Sequence, residues 1–307
     1  EDGIRDSVNG LVGSEMCIRD RLMLVALLCD GHILLEDVPG IGKTTLAKAL
    51  ARSIDCSFAR IQFTPDLLPS DVTGINFFNQ KEQAFEFRPG PVFSQILLAD
   101  EINRATPRTQ SSLLEAMQEH QITLDGETTD LPSPFLVIAT QNPIELEGTF
   151  PLPEAQLDRF LLQLTLGYPT LEEEEEILLR YEQQDPMIEL KSVADAAAIR
   201  ALQAEVRGVH VSEPVRRYIL DVVRSTRDHD AVELGVSPRG SLALYRAGQA
   251  LAALRGRDFV IPSDIQHLSP ALLTHRIHIS PQTRLRGRTP AQIVAEIAER
   301  VPVPVVE

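Results

Sequence analysis

The sequence predicts an α/β fold: a core of five parallel strands carrying β-hairpin insertions, followed by an all-helical lid domain. Three observations predict it. Runs of strand length and largely apolar character lie at residues 33–35, 58–63, 96–99, 135–139 and 160–166, and most lack the polar alternation of half-exposed strands. Helical spacing or tight-turn chemistry fills the stretches between them. Beyond Tyr168-Pro169 only helical periodicity is left, so a boundary is expected near residues 167–170. The expected divisions are an atypical segment at 1–21, an α/β core at 22–168 and a helical domain at 169–307.

The first strand carries the most chemistry. Residues 33–35 run into Glu36-Asp37-Val38-Pro39-Gly40-Ile41-Gly42-Lys43-Thr44-Thr45 and then into a helical stretch beginning Leu46-Ala47-Lys48. An apolar run, a Gly- and Pro-punctuated turn and a helix opening at Lys43 make the strand, loop and helix of a phosphate-binding P-loop. Gly40 and Gly42 let backbone N–H groups approach phosphate oxygens with no Cβ in the way, and the positive end of the helix faces the same anion. Lys43 is expected to reach the β/γ-phosphates of ATP and the Thr44 hydroxyl to ligate Mg²⁺, with Pro39, Ile41 and Thr45 completing the nucleotide-binding loop. Leu46 and Leu50 share a spacing of four, and with Ile54 they are expected to form the row packed on the sheet. The strict pattern Gly-x-x-x-x-Gly-Lys-[Ser/Thr] is broken once, because Asp37 stands at its first glycine. Pro39 can pre-shape the turn in its place.

Residues 96–99, Ile-Leu-Leu-Ala, deliver Asp100 and Glu101 at a strand's C-terminal end, where open α/β sheets bind ligands. In a P-loop ATPase Asp100 would hold Mg²⁺ through water, and Glu101 would polarise the attacking water as general base. A lone Asp-Glu pair also fits a solvated loop; after a P-loop it points to hydrolysis. The run at 135–139 ends in Thr140-Gln141-Asn142-Pro143. An amide at the tip of the strand expected beside Asp100 could bond the γ-phosphate or the water, although Asn-Pro is also a common turn starter.

Composition is that of a globular protein, 43% hydrophobic and 24% charged, and 307 residues suffice for two cores. The net charge of −15, from 29 basic and 44 acidic residues, repels nucleic acid and anionic membranes and argues against a DNA motor. Cys17, Cys29 and Cys56 are scattered with no CxxC spacing, the pattern of reduced thiols in a cytoplasmic protein and not of a disulfide framework or metal site. No apolar run approaches the ~20 residues that span a bilayer.

Along the chain, residues 1–21 show no regular period and resemble a translated adapter or cloning scar. The alternative is a native loop in which Val12-Gly13 touches an adenine. Residues 74–88 alternate Phe77, Phe85 and Phe87 around a polar tip, a hairpin that is either a half-buried surface element or a substrate-facing loop. Thr106-Pro107 opens a helix burying Leu113, Leu114 and Met117. Residues 121–131 alternate around Asp125-Gly126, a second hairpin. In the helical region, five successive glutamates from Glu172 to Glu176 open a helix whose Ile177, Leu178 and Tyr181 are expected to pack inward. Ser212 can cap a helix burying Val215, Tyr218, Ile219 and Val222. Ser237-Pro238-Arg239 and Thr289-Pro290 begin two more helices.

The ordered set of Lys-Thr P-loop, Asp100-Glu101, Thr140-Gln141-Asn142, Leu157-Asp158-Arg159-Phe160 and Ser237-Pro238-Arg239 resembles an AAA+ ATPase. More narrowly, Leu35-Glu36-Asp37-Val38-Pro39-Gly40 and Pro151-Leu152-Pro153-Glu154-Ala155-Gln156-Leu157-Asp158-Arg159-Phe160 are similar to the MoxR family, over residues 22–307. The resemblance implies that Asn142 is the first sensor, Arg159 an arginine finger acting in trans and Arg239 the second sensor, reaching ATP from the lid. Arg159 could instead be a surface partner of Asp158, Arg239 an ordinary first-turn arginine, and Arg104 or Arg108 could lie at a subunit boundary. It also implies a homo-oligomeric, hexameric ring with hairpins facing its pore. A client protein would be remodelled or matured, with metal-cofactor insertion and a von Willebrand-factor-A (VWA) domain partner among the associations of the family.

Overall fold

The computed structural model describes residues 18–143, 148–182 and 186–304, with side chains from Asp20 onward. The irregular N-terminal segment, with Val12, Gly13 and Cys17, lies outside these residues except for 18–21. By density of contacts the described chain divides into two compact units. One holds Leu34–Leu152 and Thr165–Arg200; the other holds Pro153–Leu164, Ala201–Glu307 and the segment ending at Ile33.

The strands are β1 (Ile33–Glu36), β2 (Phe58–Gln62), β5 (Ile96–Asp100), β8 (Leu136–Gln141) and β9 (Leu162–Leu164), forming a five-stranded sheet in the order β2-β5-β8-β1-β9. β2 pairs in parallel with β5, and β5 with β8, placing Gln62 opposite Asp100 and Ala99 opposite Ala139. Ile96, Leu97, Leu98 and Ala99 are fully buried, as are Val137, Ile138 and Ala139 beside them. Both faces of these strands are covered, which is why they read as unbroken apolar runs. β2 is at the sheet edge, and it alone carries exposed polar residues, Arg60 and Gln62. β9 is shorter than expected. Its flanks serve other partners: the Phe160 and Leu161 carbonyls accept from Arg276, and the Leu166 and Gly167 N–H groups donate to Asp37.

After β1 the loop leads into α1 of the core, Lys43–Ser53. Its buried face differs from the expected one: Ala47, Ala51 and then Ile54 are buried, while Leu46 and Leu50 are only half-buried. Alanines let the helix approach closely, and Leu46 turns toward a cavity. β3 (Gly74–Asn79) and β4 (Ala84–Pro89) form the first hairpin, in register from Gly74 opposite Pro89 to Asn79 opposite Ala84. Phe78 and Phe85 meet edge-to-face at 5.3 Å, yet Phe85 remains 75% exposed. The helix α2 (Pro107–Glu119) buries Leu113, Leu114 and Met117 as expected. β6 (Gln121–Leu124) and β7 (Glu127–Asp130) form the second hairpin, with Asp125 and Gly126 both at positive φ. Asn76 Nδ2 donates to Asp125 Oδ2 at 2.8 Å, joining the two hairpins.

The helix α3 (Leu171–Tyr181) corrects an expectation. Thr170 caps it with a capping box through Glu173, so the acidic opening is as read. Ile177, Leu178 and Tyr181 do not pack inward: Leu178 is 73% exposed, and no residue of the helix is buried.

In the other unit the principal helices are α4 (Glu213–Arg227), α5 (Pro238–Leu254), α6 (Pro262–Leu273) and α7 (Pro290–Arg300). Val215, Tyr218, Ile219 and Val222 of α4 are buried, as are Leu244, Ala247 and Leu251 of α5 and Ile293, Val294 and Ile297 of α7. Ser212 holds the N-cap position of α4, but its buried hydroxyl has no partner, so the expected cap bond is not formed. Ser237 and Thr289 do cap, accepting from Arg239 N–H and Gln292 N–H. The region is not helical throughout: β10 (Val232–Leu234) pairs antiparallel with β11 (His278–Ile279). Among the described residues no helix is long and apolar enough to cross a membrane.

Candidate functional site

The loop after β1 is shaped by two glycines. Gly40 (φ +85°) and Gly42 (φ +88°) are in the left-handed region, and nothing within 4 Å would obstruct a Cβ at either, so it is backbone conformation that requires glycine here. Lys43 Nζ folds back onto the Asp37 carbonyl at 2.9 Å. The Asp37 N–H donates to Gln141 O at 3.1 Å, which ties the start of the loop to the end of β8, one residue before Asn142.

Asp100 and Glu101 are held by a residue that the spacing did not single out. Thr140 is fully buried, and its hydroxyl donates to Asp100 Oδ1 at 2.6 Å while accepting the Glu101 N–H at 2.8 Å. Glu101 has φ +55°, unusual for a residue with a side chain, and this N–H bond fixes it there. Arg60 pairs with Asp100 Oδ2 at 2.7 Å, Gln62 Nε2 donates to Glu101 Oε2 at 2.8 Å, and Arg104 Nε lies 3.0 Å from the same oxygen. Both carboxylates therefore stand at the sheet end, partly exposed and already engaged. Burial, and then the neighbouring Asp37, push the Glu36 carboxyl above its usual range.

The two cation ligands expected from the sequence, the Thr44 hydroxyl and the Asp100 carboxylate, are both oxygen donors. Among the described residues no three His, Cys, Asp or Glu side chains gather into a cage. That chemistry fits Mg²⁺, which binds through one or two protein oxygens with waters and substrate phosphates.

Beside the loop opens a cavity of about 1110 Å³ lying wholly within this unit. One wall is the loop and the outer face of α1, from Pro39 to Ala49; the other is Tyr168, Pro169 and the face of α3 that carries Leu171, Ile177, Leu178 and Tyr181 together with Glu174 and Glu175. Sequence reading took Ile177, Leu178 and Tyr181 for core, and the structure shows them lining this cavity. The exposed leucines of α3 thus have a place, facing a space sized for a small-molecule ligand. Pro39, Gly40, Ile41, Gly42 and Thr45 line the cavity. Lys43, Thr44, Asp100, Glu101 and Asn142 belong to the same unit.

Arg159 and Arg239 belong to the other unit, where Arg159 follows the braced carboxylate of Asp158 in sequence. Asp158 Oδ1 pairs with Arg276 Nε at 2.8 Å, and Asp158 Oδ2 accepts from Ser237 Oγ at 2.8 Å. The Ser237 hydroxyl also caps α5 by accepting the Arg239 N–H at 3.2 Å. Arg276, 2% exposed, further donates to the carbonyls of Phe160, Leu161 and Leu272. Its burial lowers its pKa, an effect Asp158 opposes. Beside it His275 is pushed well below the usual histidine range, by burial first and the Arg276 charge second, while Phe160 O accepts from its Nε2. None of Thr140, Ser237 or Arg276 was marked as a brace by the sequence, although Thr140 and Ser237 stood inside quoted motifs. The free thiols at Cys29 and Cys56 are pushed up to about 12 and about 11, chiefly by burial, and are inert at neutral pH.

A parallel sheet ending in a glycine turn and an Asp-Glu pair, with a helical unit after it, defines an AAA-type P-loop ATPase domain. The family model for the ATPase family associated with various cellular activities matches residues 32–162, and that of the AAA lid domain matches residues 224–297. YeaC of Bacillus subtilis is 54% identical over 284 residues, covering 92% of this chain and 89% of its own. Chaperone MoxR1 of Mycobacterium tuberculosis is 41% identical over 303 residues, covering 96% and 79%. The crystal structure of a Cytophaga hutchinsonii protein assigned as an ATPase superposes with a TM-score of 0.88 at 37% identity, covering 99% of this chain and 94% of that one. The chain belongs to the MoxR family of AAA+ ATPases.

Proposed function

We propose that this chain hydrolyses ATP with Mg²⁺ and uses the cycle to remodel or mature client proteins in the cytoplasm, acting as a homo-oligomeric ring, hexameric by family resemblance. The loop N–H groups and Lys43 hold the phosphates, and Lys43 leaves the Asp37 carbonyl to do so. The apolar cavity between α1 and α3 takes the base. Thr44 and Asp100 hold the cation, which neutralises charge on the phosphates when bound. Glu101 polarises the attacking water and Asn142 orients it. Arg159 stabilises charge on the transferring phosphoryl group of a neighbour's ATP, and Arg239 serves the ATP of its own chain. The residues at 169–307 act as the lid domain. The two hairpins, with Phe78 and Phe85 exposed, face clients at the pore. Metal-cofactor insertion with a VWA-domain partner is the finer form of this reading.

The observation that carries it is the Thr140 hydroxyl bridging Asp100 and the Glu101 N–H beside the glycine loop. Glu101→Gln is expected to retain ATP binding and lose most turnover, and Lys43→Ala to lose binding in an equilibrium titration. Turnover by Glu101→Gln at the parent rate would remove Glu101 from the role of base.

A second reading, a nucleotide-gated adaptor with little turnover, is favoured by one feature. The Glu101 carboxylate is engaged by Arg104 and Gln62 and must exchange a partner before it can take a water. Multiple-turnover kinetics on the assembled protein separate the two. The net charge of −15 weighs against a nucleic-acid motor, which DNA-stimulated turnover would reinstate.

A further inference from the structure

Asp37 stands where the strict loop pattern has glycine, and every polar atom it owns is engaged. Its N–H donates to Gln141 O, and its carbonyl accepts from Lys43 Nζ. Oδ1 accepts the Val38 N–H at 3.0 Å. Oδ2 accepts two more backbone N–H groups, from Leu166 at 2.5 Å and Gly167 at 2.8 Å. The residue is only 6% exposed. A carboxylate taking three backbone N–H groups makes charge-assisted bonds stronger than neutral ones.

What Asp37 holds on the far side matters more than the bonds themselves. Leu166 and Gly167 come directly before Tyr168, Pro169 and α3, the apolar wall of the cavity. Gly167 sits at φ +70°, a residue with wide backbone freedom at the point where that wall begins. A glycine at position 37 would offer no side-chain acceptor, and the wall would lose this strap to the phosphate loop.

We propose that Asp37 is a positioning residue that straps the cavity wall to the phosphate loop and so sets affinity for the base end of a nucleotide, not for its phosphates. The inference rests on the reading that ATP occupies the cavity. Replacing Asp37 with glycine would complete the strict loop pattern and yet weaken binding.

The test compares ATP with inorganic tripolyphosphate, each with Mg²⁺, by calorimetry on the parent, Asp37→Gly and Asp37→Asn. With Asp37→Gly, ATP affinity is expected to fall about tenfold or more, the scale of one lost charge-assisted contact, while tripolyphosphate affinity changes by less than about twofold. Asp37→Asn keeps a carbonyl acceptor and falls between. Hydrogen exchange on the nucleotide-free protein is expected to show faster exchange at residues 166–181 in Asp37→Gly, and this readout does not depend on any ligand. Equal losses for both ligands would make Asp37 a shaper of the phosphate loop and overturn the inference, as would unchanged ATP affinity or unchanged exchange. A parent protein that binds tripolyphosphate and ATP equally well would instead overturn the placement of the base in the cavity.

Discussion

Thr140→Val removes one hydroxyl and keeps the side chain's shape, so its effect isolates the bridge between Asp100 and Glu101. Two bonds are lost. The one to the Asp100 carboxylate, at 2.6 Å from a fully buried residue, is a hydrogen bond to a charged group worth about 1.5–3 kcal/mol. The other leaves the Glu101 N–H without its acceptor, a penalty of about 1–3 kcal/mol where the group stays dry. Glu101 is only partly buried and water can replace some of that loss, so the expected destabilisation is about 2–4 kcal/mol. The positive φ of Glu101 should relax once the bond is gone, swinging its carboxylate away from its place. A misplacement of that kind should lower turnover by about 10²-fold.

Urea denaturation of parent, Thr140→Val and Thr140→Ser gives the first quantity, and steady-state ATP turnover of the assembled protein gives the second. Thr140→Ser retains both bonds and loses one methyl group, about 1 kcal/mol, with turnover near the parent's. If Thr140→Val matched the serine variant in both stability and turnover, the hydroxyl would be a passenger and the account of how Glu101 is placed would fail.

Two further outcomes follow from the other unit. Asp158→Asn leaves Arg276 buried without its counter-charge and should cost about 3 kcal/mol in urea denaturation; unchanged stability would show that the pair does not brace this unit. His275 takes up a proton more readily unfolded than folded, so its contribution is present above the ordinary histidine pKa and is lost as pH falls toward its lowered folded value. Stability should therefore decline as pH falls below about 6.5, the unperturbed histidine pKa, and His275→Gln should decline less. His267, lowered chiefly by burial, acts in the same direction, so the slope shrinks without vanishing. An identical slope in the two proteins would show that His275 is not the group responsible.

The parts of the fold that the sequence disclosed are those where one physical cause dominates. β5 and β8 are covered on both faces, so burial alone writes four apolar residues in a row. The turn at Asp125-Gly126 needs positive φ at two positions, and few residue pairs supply it. Gly40, Gly42 and Lys43 are legible for the same reason, being nearly the only residues that perform those tasks. β10 and β11 escaped because three and two residues are too few to show an alternating period. Thr140 escaped because one buried hydroxyl between two carboxylate residues leaves no pattern at all; only the pairing of β5 with β8 makes it a neighbour of both.

The misreading of α3 has a different origin. Helical spacing of Ile177, Leu178 and Tyr181 establishes that one face of the helix avoids water, and it is silent on what covers that face. A protein core and the wall of a ligand cavity write the same pattern, since both reward apolar side chains at three- and four-residue intervals. The two differ in what stands opposite. Across from this helix stand the glycine loop and the outer face of α1, from Pro39 to Ala49, and between them an open cavity of about 1110 Å³ is left. On the proposed reading, the wall of α3 and the glycine loop meet the two ends of one ligand, its base and its phosphates.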